Sequence, residues 1–262
     1  MDWGMKNRLY KTINPKTGKT VMLAVDHGYF QGPTTGLSDL KKAIDPLIPH
    51  ADCLFITRGM VRNVVDAKTK IPIFLRVSGG PSVLQEDLSD EHITVSMKEA
   101  LRLNAVGVGM SIFVGGKHES RTVSNLGKLV NEAQEYNMPV LAITAVGKEM
   151  ARDARYLGLA CRMAVEQGAN IVKTYFCEQD FDKVVEACNG VPVVIAGGKK
   201  IEEKSALEMA KNAIEQGAVG VDMGRNIFQS DSPVGMIKAV NAIVHEGKSV
   251  EEAYGVYEKE KK

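Results

Sequence analysis

Short apolar, β-branched runs recur eight times along this 262-residue chain, and that repetition constrains the fold more than any other feature. The runs are Val21–Gly28 (VMLAVDHG), Cys53–Gly59 (CLFITRG), Ile71–Gly79 (IPIFLRVSG) and Ala105–Gly115 (AVGVGMSIFVG). Four more follow at Pro139–Gly147 (PVLAITAVG), Asn170–Phe176 (NIVKTYF), Val191–Gly198 (VPVVIAGG) and Gly220–Ile227 (GVDMGRNI). Unbroken apolar runs that end in glycine or a polar residue suit strands buried on both faces of a parallel sheet. Between most of them lie stretches of helical periodicity: Ile93–Leu103, Val123–Tyr136, Ala151–Gln167, Phe181–Cys188 and Ile201–Gln216, with a small helix near Arg62–Lys68. In the last of the five, Ala206, Leu207, Ala210, Ala213 and Ile214 make one apolar stripe. Helical runs stop at Gly168, Gly217 and Gly247, where glycine can take the left-handed C-cap.

Strand then helix, eight times over, predicts an α/β chain forming a single (β/α)8 TIM barrel across residues 1–262. Residues 1–20 read as an N-terminal extension and 249–262 as a C-terminal helix. A doubly wound open sheet is the alternative, but the first strand leads into Asp26-His27-Gly28-Tyr29-Phe30 instead of a G-x-G-x-x-G turn. Charge excludes some functions. Lys plus Arg is 33 against 32 Asp plus Glu, so there is no basic excess with which to bind nucleic acid. The longest apolar run falls short of the roughly 20 residues that span a bilayer. Met1–Lys19 is polar and mixed, without a secretory leader, and the four cysteines (Cys53, Cys161, Cys177, Cys188) show no C-x-x-C, so a reduced cytoplasmic protein is expected.

In such barrels chemistry sits at the carboxyl ends of the strands. There the sequence places Asp26 and His27 (strand one), Arg58 (two), Arg76 (three), Lys173 and Tyr175 (six), Gly197 and Gly198 (seven), and Gly224 and Arg225 (eight). Lys173 stands out. It lies among apolar neighbours, and strand alternation puts Ile171, Lys173 and Tyr175 on one face, assigned to the lumen. One reading is a structural lysine salt-bridged across the lumen. The other is a Schiff-base nucleophile, whose amine burial and neighbouring cations would activate. Arg58, Arg76, Lys199 and Lys200 are the cations at hand. The glycine turns after strands seven and eight fall where barrels bind phosphate, with backbone N–H groups and Arg225 as donors. Asp26 is a turn acceptor, a general acid/base, or a partner that pairs with Lys173 and orients it. Gly18-Lys19-Thr20 lacks the earlier glycine of a P-loop, and no zinc-spaced His/Cys cluster exists, so no metal is expected.

Asp26-His27-Gly28, Lys173, Ala196-Gly197-Gly198 and Gly224–Phe228 (GRNIF) together resemble the class I aldolases of the DeoC/FbaB type. That family consists of Schiff-base (β/α)8 barrels acting on phosphorylated sugars. Asp2–Met5, Asn14–Lys19, Asp26–Leu37 (DHGYFQGPTTGL), Val172–Tyr175 and Asp222–Asp231 (DMGRNIFQSD) resemble one branch in particular. Its members are thiolases that move the acetyl group of 3-hydroxy-5-phosphonooxypentane-2,4-dione, from autoinducer-2 breakdown, to coenzyme A. The resemblance implies Lys173 as Schiff-base lysine, with Asp26 or Tyr175 carrying protons. It also implies substrate and phosphate binding by His27, Gly197, Gly198, Gly224 and Arg225, and coenzyme A as co-substrate with no bound cofactor. Small phosphorylated substrates and a large homo-oligomer, a decamer, are the implied partners. Members of the branch often carry an additional N-terminal stretch. The aldolases of the family place a tyrosine at the end of strand five, where this chain has Ile143-Thr144-Ala145-Val146-Gly147. That departure favours the thiolase over a class I aldolase cleaving a sugar phosphate of the fructose-bisphosphate type. A non-catalytic phosphosugar-binding barrel is the reading from another class.

Overall fold

The computed structural model describes residues 1–146 and 153–261. Among these, eight parallel strands close into one barrel: β1 (Thr20–Ala24), β2 (Cys53–Thr57), β3 (Ile73–Arg76), β4 (Gly107–Val114), β5 (Val140–Val146), β6 (Ile171–Tyr175), β7 (Val193–Ala196) and β8 (Gly220–Met223). Each strand pairs with its neighbours in sequence, and β8 pairs back to β1. Strictly sequential order with helical crossovers is the arrangement that right-handed βαβ units produce when they close. Around the ring, β7 and β8 therefore lie opposite β3 and β4, and β6 lies opposite β2.

Helices cover the outside. The longest are Glu119–Glu135, Ala154–Glu166, Glu203–Glu215 and Pro233–Glu246, and their apolar stripes pack on the strands' outward residues in one continuous core. Local chemistry sets their ends. Asp153 accepts from the Tyr156 amide and Glu202 from the Ser205 amide, each such cap contributing about 1 kcal/mol. Gly168, Gly217 and Gly247 follow three of them at positive φ (95°, 103° and 70°), in the left-handed region that favours glycine. The C-terminal helix spans Val250–Lys261.

The lumen has its own small core, formed by Met22, Cys53, Phe55, Phe74, Leu141, Ile171 and Val194. Two β4 glycines make room for its rings: a Cβ at Gly107 would strike the Phe74 ring, and one at Gly109 the Phe55 ring. From below, the N-terminal helix Trp3–Thr12 and the residue after it press Leu9 and Ile13 against this core. The barrel is floored at its amino end and open at the other.

Several element boundaries differ from those expected. The stretch 93–103 begins as a strand, with His92–Ile93 pairing antiparallel to Ser78–Gly79, and turns helical only at Met97, where Ser96 caps the Glu99 amide. Strand eight stops at Met223, and Arg225–Phe228 is a short helix. A Cβ at Gly224 would strike the Ala24 carbonyl, so the chain turns there with its backbone against β1. Arg58 opens a helix, Arg58–Val64, directly at the end of β2. Asp26 and His27 lie in the loop beyond β1. Gly147, expected to end strand five, and Ala151, expected to start a helix, lie outside the described residues, as does Lys262 at the end of the expected C-terminal helix.

Candidate active site

A cavity of about 260 Å³ opens at the carboxyl end of the barrel. Lys173, Asp26, Tyr175, His27, Gly197, Gly198, Gly224 and Arg225 all line it, so the residues singled out from the sequence converge on one place. Lys173 enters from β6, in register with Ile143 of β5 and Val194 of β7. It is 8% exposed, and its Nζ lies 5.5 Å from the centroid of the Phe55 ring on the opposite strand.

The neighbours of Lys173 are not the expected ones. Of the four cations considered, only Arg76 reaches the cavity. Arg58 and Lys199 are exposed and do not line the cavity, and Lys200 is held by Glu203 at 2.8 Å. The group beside Lys173 is a carboxylate: Asp222 Oδ2, from β8, at 2.8 Å. Asp222 is 1% exposed, and burial pushes its carboxyl up to about 6 against the pull of Lys173. Its other oxygen, Oδ1, has no hydrogen-bond partner among the described residues. A close lysine–carboxylate pair of this kind can pass a proton within the site.

Arg76 is the hub of a second cluster. Its Nη1 donates to Asp26 Oδ2 at 2.9 Å, and its Nε to Ser78 Oγ at 3.1 Å. Nη2 shares its two hydrogens among Glu91 Oε1 (2.7 Å) and Oε2 (2.8 Å), Ser111 Oγ (2.8 Å) and the Tyr29 hydroxyl (3.0 Å). Tyr29 and Ser78 in turn donate to Glu91, the latter at 2.6 Å. Burial opposes the charge on Arg76, yet Glu91, Tyr29 and Asp26 together hold its ionisation above the ordinary arginine value. Burial likewise raises the Tyr29 phenol, which makes it a poor acid. Asp26 is thus bound to Arg76 through Oδ2 and is not the partner of Lys173.

On the far side, Gly197, Gly198 and Gly224 line the cavity, with Gly198 at φ 68°. Asn226 clamps the two turns together, its Nδ2 donating to Gly197 O at 2.5 Å and its Oδ1 accepting from the Ile201 amide at 2.9 Å. Arg225 opens the short helix beside them. His27 stacks on Phe228 at 5.6 Å, and burial pushes it down to about 4, so it is neutral at pH 7. The β5 wall is Ile143, Thr144 and Ala145, with no phenol. Among the described residues no three His, Cys, Asp or Glu side chains gather as a metal-ligand set, and no helix is long and apolar enough to cross a membrane.

Four further residues line the cavity: Asp222, Ser111, Glu91 and Tyr29. Asp222 carries the same signal as Lys173, a charge inside an apolar strand, beside the glycine–arginine turn. Ser111 lies on the inward face of β4, where a small hydroxyl gives no signal. Glu91 arrives from the segment beyond β3, and Tyr29 from the helix Gly28–Gln31; neither has a local pattern to reveal it.

Comparison with known proteins fits this geometry. The DeoC/LacD family aldolase profile matches residues 20–230. A 3-hydroxy-5-phosphonooxypentane-2,4-dione thiolase of Escherichia coli K12 is 53% identical over 261 residues, covering 100% of this chain and 89% of that protein. An uncharacterised aldolase of Pasteurella multocida is 52% identical with the same coverage. Among solved structures, an archaeal fructose 1,6-bisphosphate aldolase superposes with TM-score 0.83 at 25% identity, covering 93% of this chain and 100% of the other.

Proposed function

The chain belongs to the DeoC/LacD aldolase family, and from that premise we propose that it is a Schiff-base thiolase acting on 3-hydroxy-5-phosphonooxypentane-2,4-dione. The observation that carries the reading is the buried Lys173–Asp222 pair, set in the lumen between the glycine turns of β7 and β8 and the Arg76 cluster. The name borne by relatives about half identical over the whole chain supplies the substrate.

The phosphate of the substrate is held by the amides around Gly197, Gly198 and Gly224 and by Arg225. Asp222 takes a proton from Lys173, and the free amine attacks the ketone next to the phosphorylated carbon. Loss of water, with the proton returned through Asp222, gives the iminium. The thiolate of coenzyme A, the co-substrate, adds to the remote acetyl carbonyl. When that tetrahedral centre collapses, the carbon–carbon bond breaks, its electron pair passes to the iminium as an enamine, and acetyl-CoA leaves. Covalent attachment supplies an electron sink, so no free carbanion forms. Protonation of the enamine carbon, by Asp26 or Tyr175 at the cavity wall, and hydrolysis release dihydroxyacetone phosphate. Every step is carried by side chains or by the two substrates, without a resident cofactor. The same reading makes the enzyme a cytoplasmic homo-oligomer, the latter checked on a sizing column.

The test is direct. Substrate supplied with coenzyme A yields acetyl-CoA and dihydroxyacetone phosphate, and borohydride added during turnover fixes an adduct that maps to Lys173. Cleavage that proceeds equally without coenzyme A makes the protein a simple aldolase. No adduct on Lys173 defeats both enzyme readings.

A further inference from the structure

Thiolysis needs something that aldol cleavage does not: stabilisation of the alkoxide that forms when sulfur adds to the acetyl carbonyl. Resting on the thiolase reading above, we propose that the Ser111 hydroxyl is the donor to that oxyanion, with Arg76 as the residue that positions it.

The ring order of the barrel locates the acetyl group. The phosphate turns follow β7 and β8, and the strands opposite them are β3 and β4. Lys173 on β6 stands midway, two strands from β8 on one side and two from β4 on the other. A substrate anchored by its phosphate at β7–β8 and joined to Lys173 at the adjacent carbonyl must extend its remaining carbons toward β4 and β3. Ser111 is the β4 residue at that level. It is in register with Ile143 of β5, which is in register with Lys173, so the three form one row across the sheet. With strands about 4.8 Å apart, the Ser111 and Lys173 backbones are separated by roughly 10 Å. Two inward side chains can bridge that span with the two-carbon reach from iminium to acetyl carbonyl between them.

The hydrogen bonding of Ser111 fits the role. It is 5% exposed and lines the cavity. Its Oγ accepts from Arg76 Nη2 at 2.8 Å, so a lone pair faces the guanidinium and the hydroxyl hydrogen points elsewhere. That hydrogen has no acceptor among the described residues. The other hydroxyls of the cluster are already committed: Tyr29 and Ser78 both donate to Glu91. A donor polarised by a buried cation and fixed before substrate arrives costs no reorganisation when charge develops. Ser111 transfers no proton; it donates a hydrogen bond to the oxygen that becomes negative as the sulfur–carbon bond forms and is relieved as the carbon–carbon bond breaks.

Two reactions of the same enzyme separate this role from a structural one. Thiolysis passes through the oxyanion. Exchange of the hydroxymethyl protons of dihydroxyacetone phosphate with solvent needs only the Lys173 iminium and its enamine. Ser111→Ala is expected to lower kcat for acetyl-CoA formation by about 10²–10³-fold, the loss typical of one oxyanion donor. Proton exchange and the borohydride adduct on Lys173 should stay at the wild-type level, which also shows that the variant is folded. Ser111→Thr, which keeps the hydroxyl, should restore most of the thiolysis. Full thiolysis in Ser111→Ala overturns the proposal, and so does a parallel loss of exchange and thiolysis. Wild-type protein that exchanges protons but makes no acetyl-CoA defeats the thiolase reading itself, a result distinguishable from failure of the serine alone.

Discussion

Replacing Arg76 by methionine, similar in length and without charge, tests whether the buried cluster is held by its single cation. The side chains of Arg76, Asp26 and Glu91 are only 5%, 7% and 4% exposed. In Arg76→Met both carboxylates stay in the interior without their cation, and breaking a buried pair in this way costs about 3–5 kcal/mol. For a protein near this size that corresponds to a fall in Tm of roughly 6–20 °C. The assay is calorimetry of wild type, Arg76→Met and the triple variant Arg76→Met/Asp26→Asn/Glu91→Gln. Most of the cost comes from stranded charge, so neutralising the two carboxylates should recover a large part of it, leaving the triple variant more stable than the single one. The three changes together then cost less than the sum of their separate costs, as expected for side chains that share partners. A loss below about 1 kcal/mol, in the range of exposed ion pairs, would refute the reasoning. A triple variant no more stable than the single one would refute it too.

Other consequences follow from the same geometry. Asp222, pushed up to about 6, accepts a proton only when ionised, so kcat/KM should fall as pH drops through about 6; Asp222→Asn should lose this acid limb along with most of the rate, and a limb that survives excludes Asp222 as its source. His27 is pushed down to about 4 in the folded protein, whereas an unfolded histidine takes up its proton near 6.5. The unfolded state therefore binds more protons between these values, so stability is lost as pH falls from about 6.5 toward 4, and urea midpoints of His27→Asn should show a flatter decline. Arg225→Ala removes a charged donor worth about 1.5–3 kcal/mol, so KM for the phosphorylated substrate should rise by roughly 10–150-fold while borohydride still traps an adduct at saturating substrate.

The barrel was legible in the sequence because its strands are buried on both faces, by lumen on one side and helices on the other, so each reads as an apolar run. Boundaries were harder, since distant partners decide them: the turn at Gly224 depends on the Ala24 carbonyl, some 200 residues earlier. Lys173 was visible because a lysine among isoleucine, valine and tyrosine breaks the local pattern. Its ion-pair partner is harder to read, because which of Asp26 and Asp222 reaches it is decided only when β8 closes on β1. Glu91 had no local signal, being acidic in an acidic loop until folding carries it to Arg76.

The floor beneath Lys173 has a kinetic meaning. Among the described residues, Leu9 and Ile13 pack with the rings of Phe55 and Phe74 to fill the amino end, and the cavity opens at the carboxyl end. On the thiolase reading two substrates and two products share that mouth, which favours ordered traffic: the phosphorylated compound, whose carbonyl reaches down to Lys173, enters first and coenzyme A follows. On that reading acetyl-CoA would depart before dihydroxyacetone phosphate, and a thioether analogue of coenzyme A is expected to lock the first substrate in place instead of competing with it.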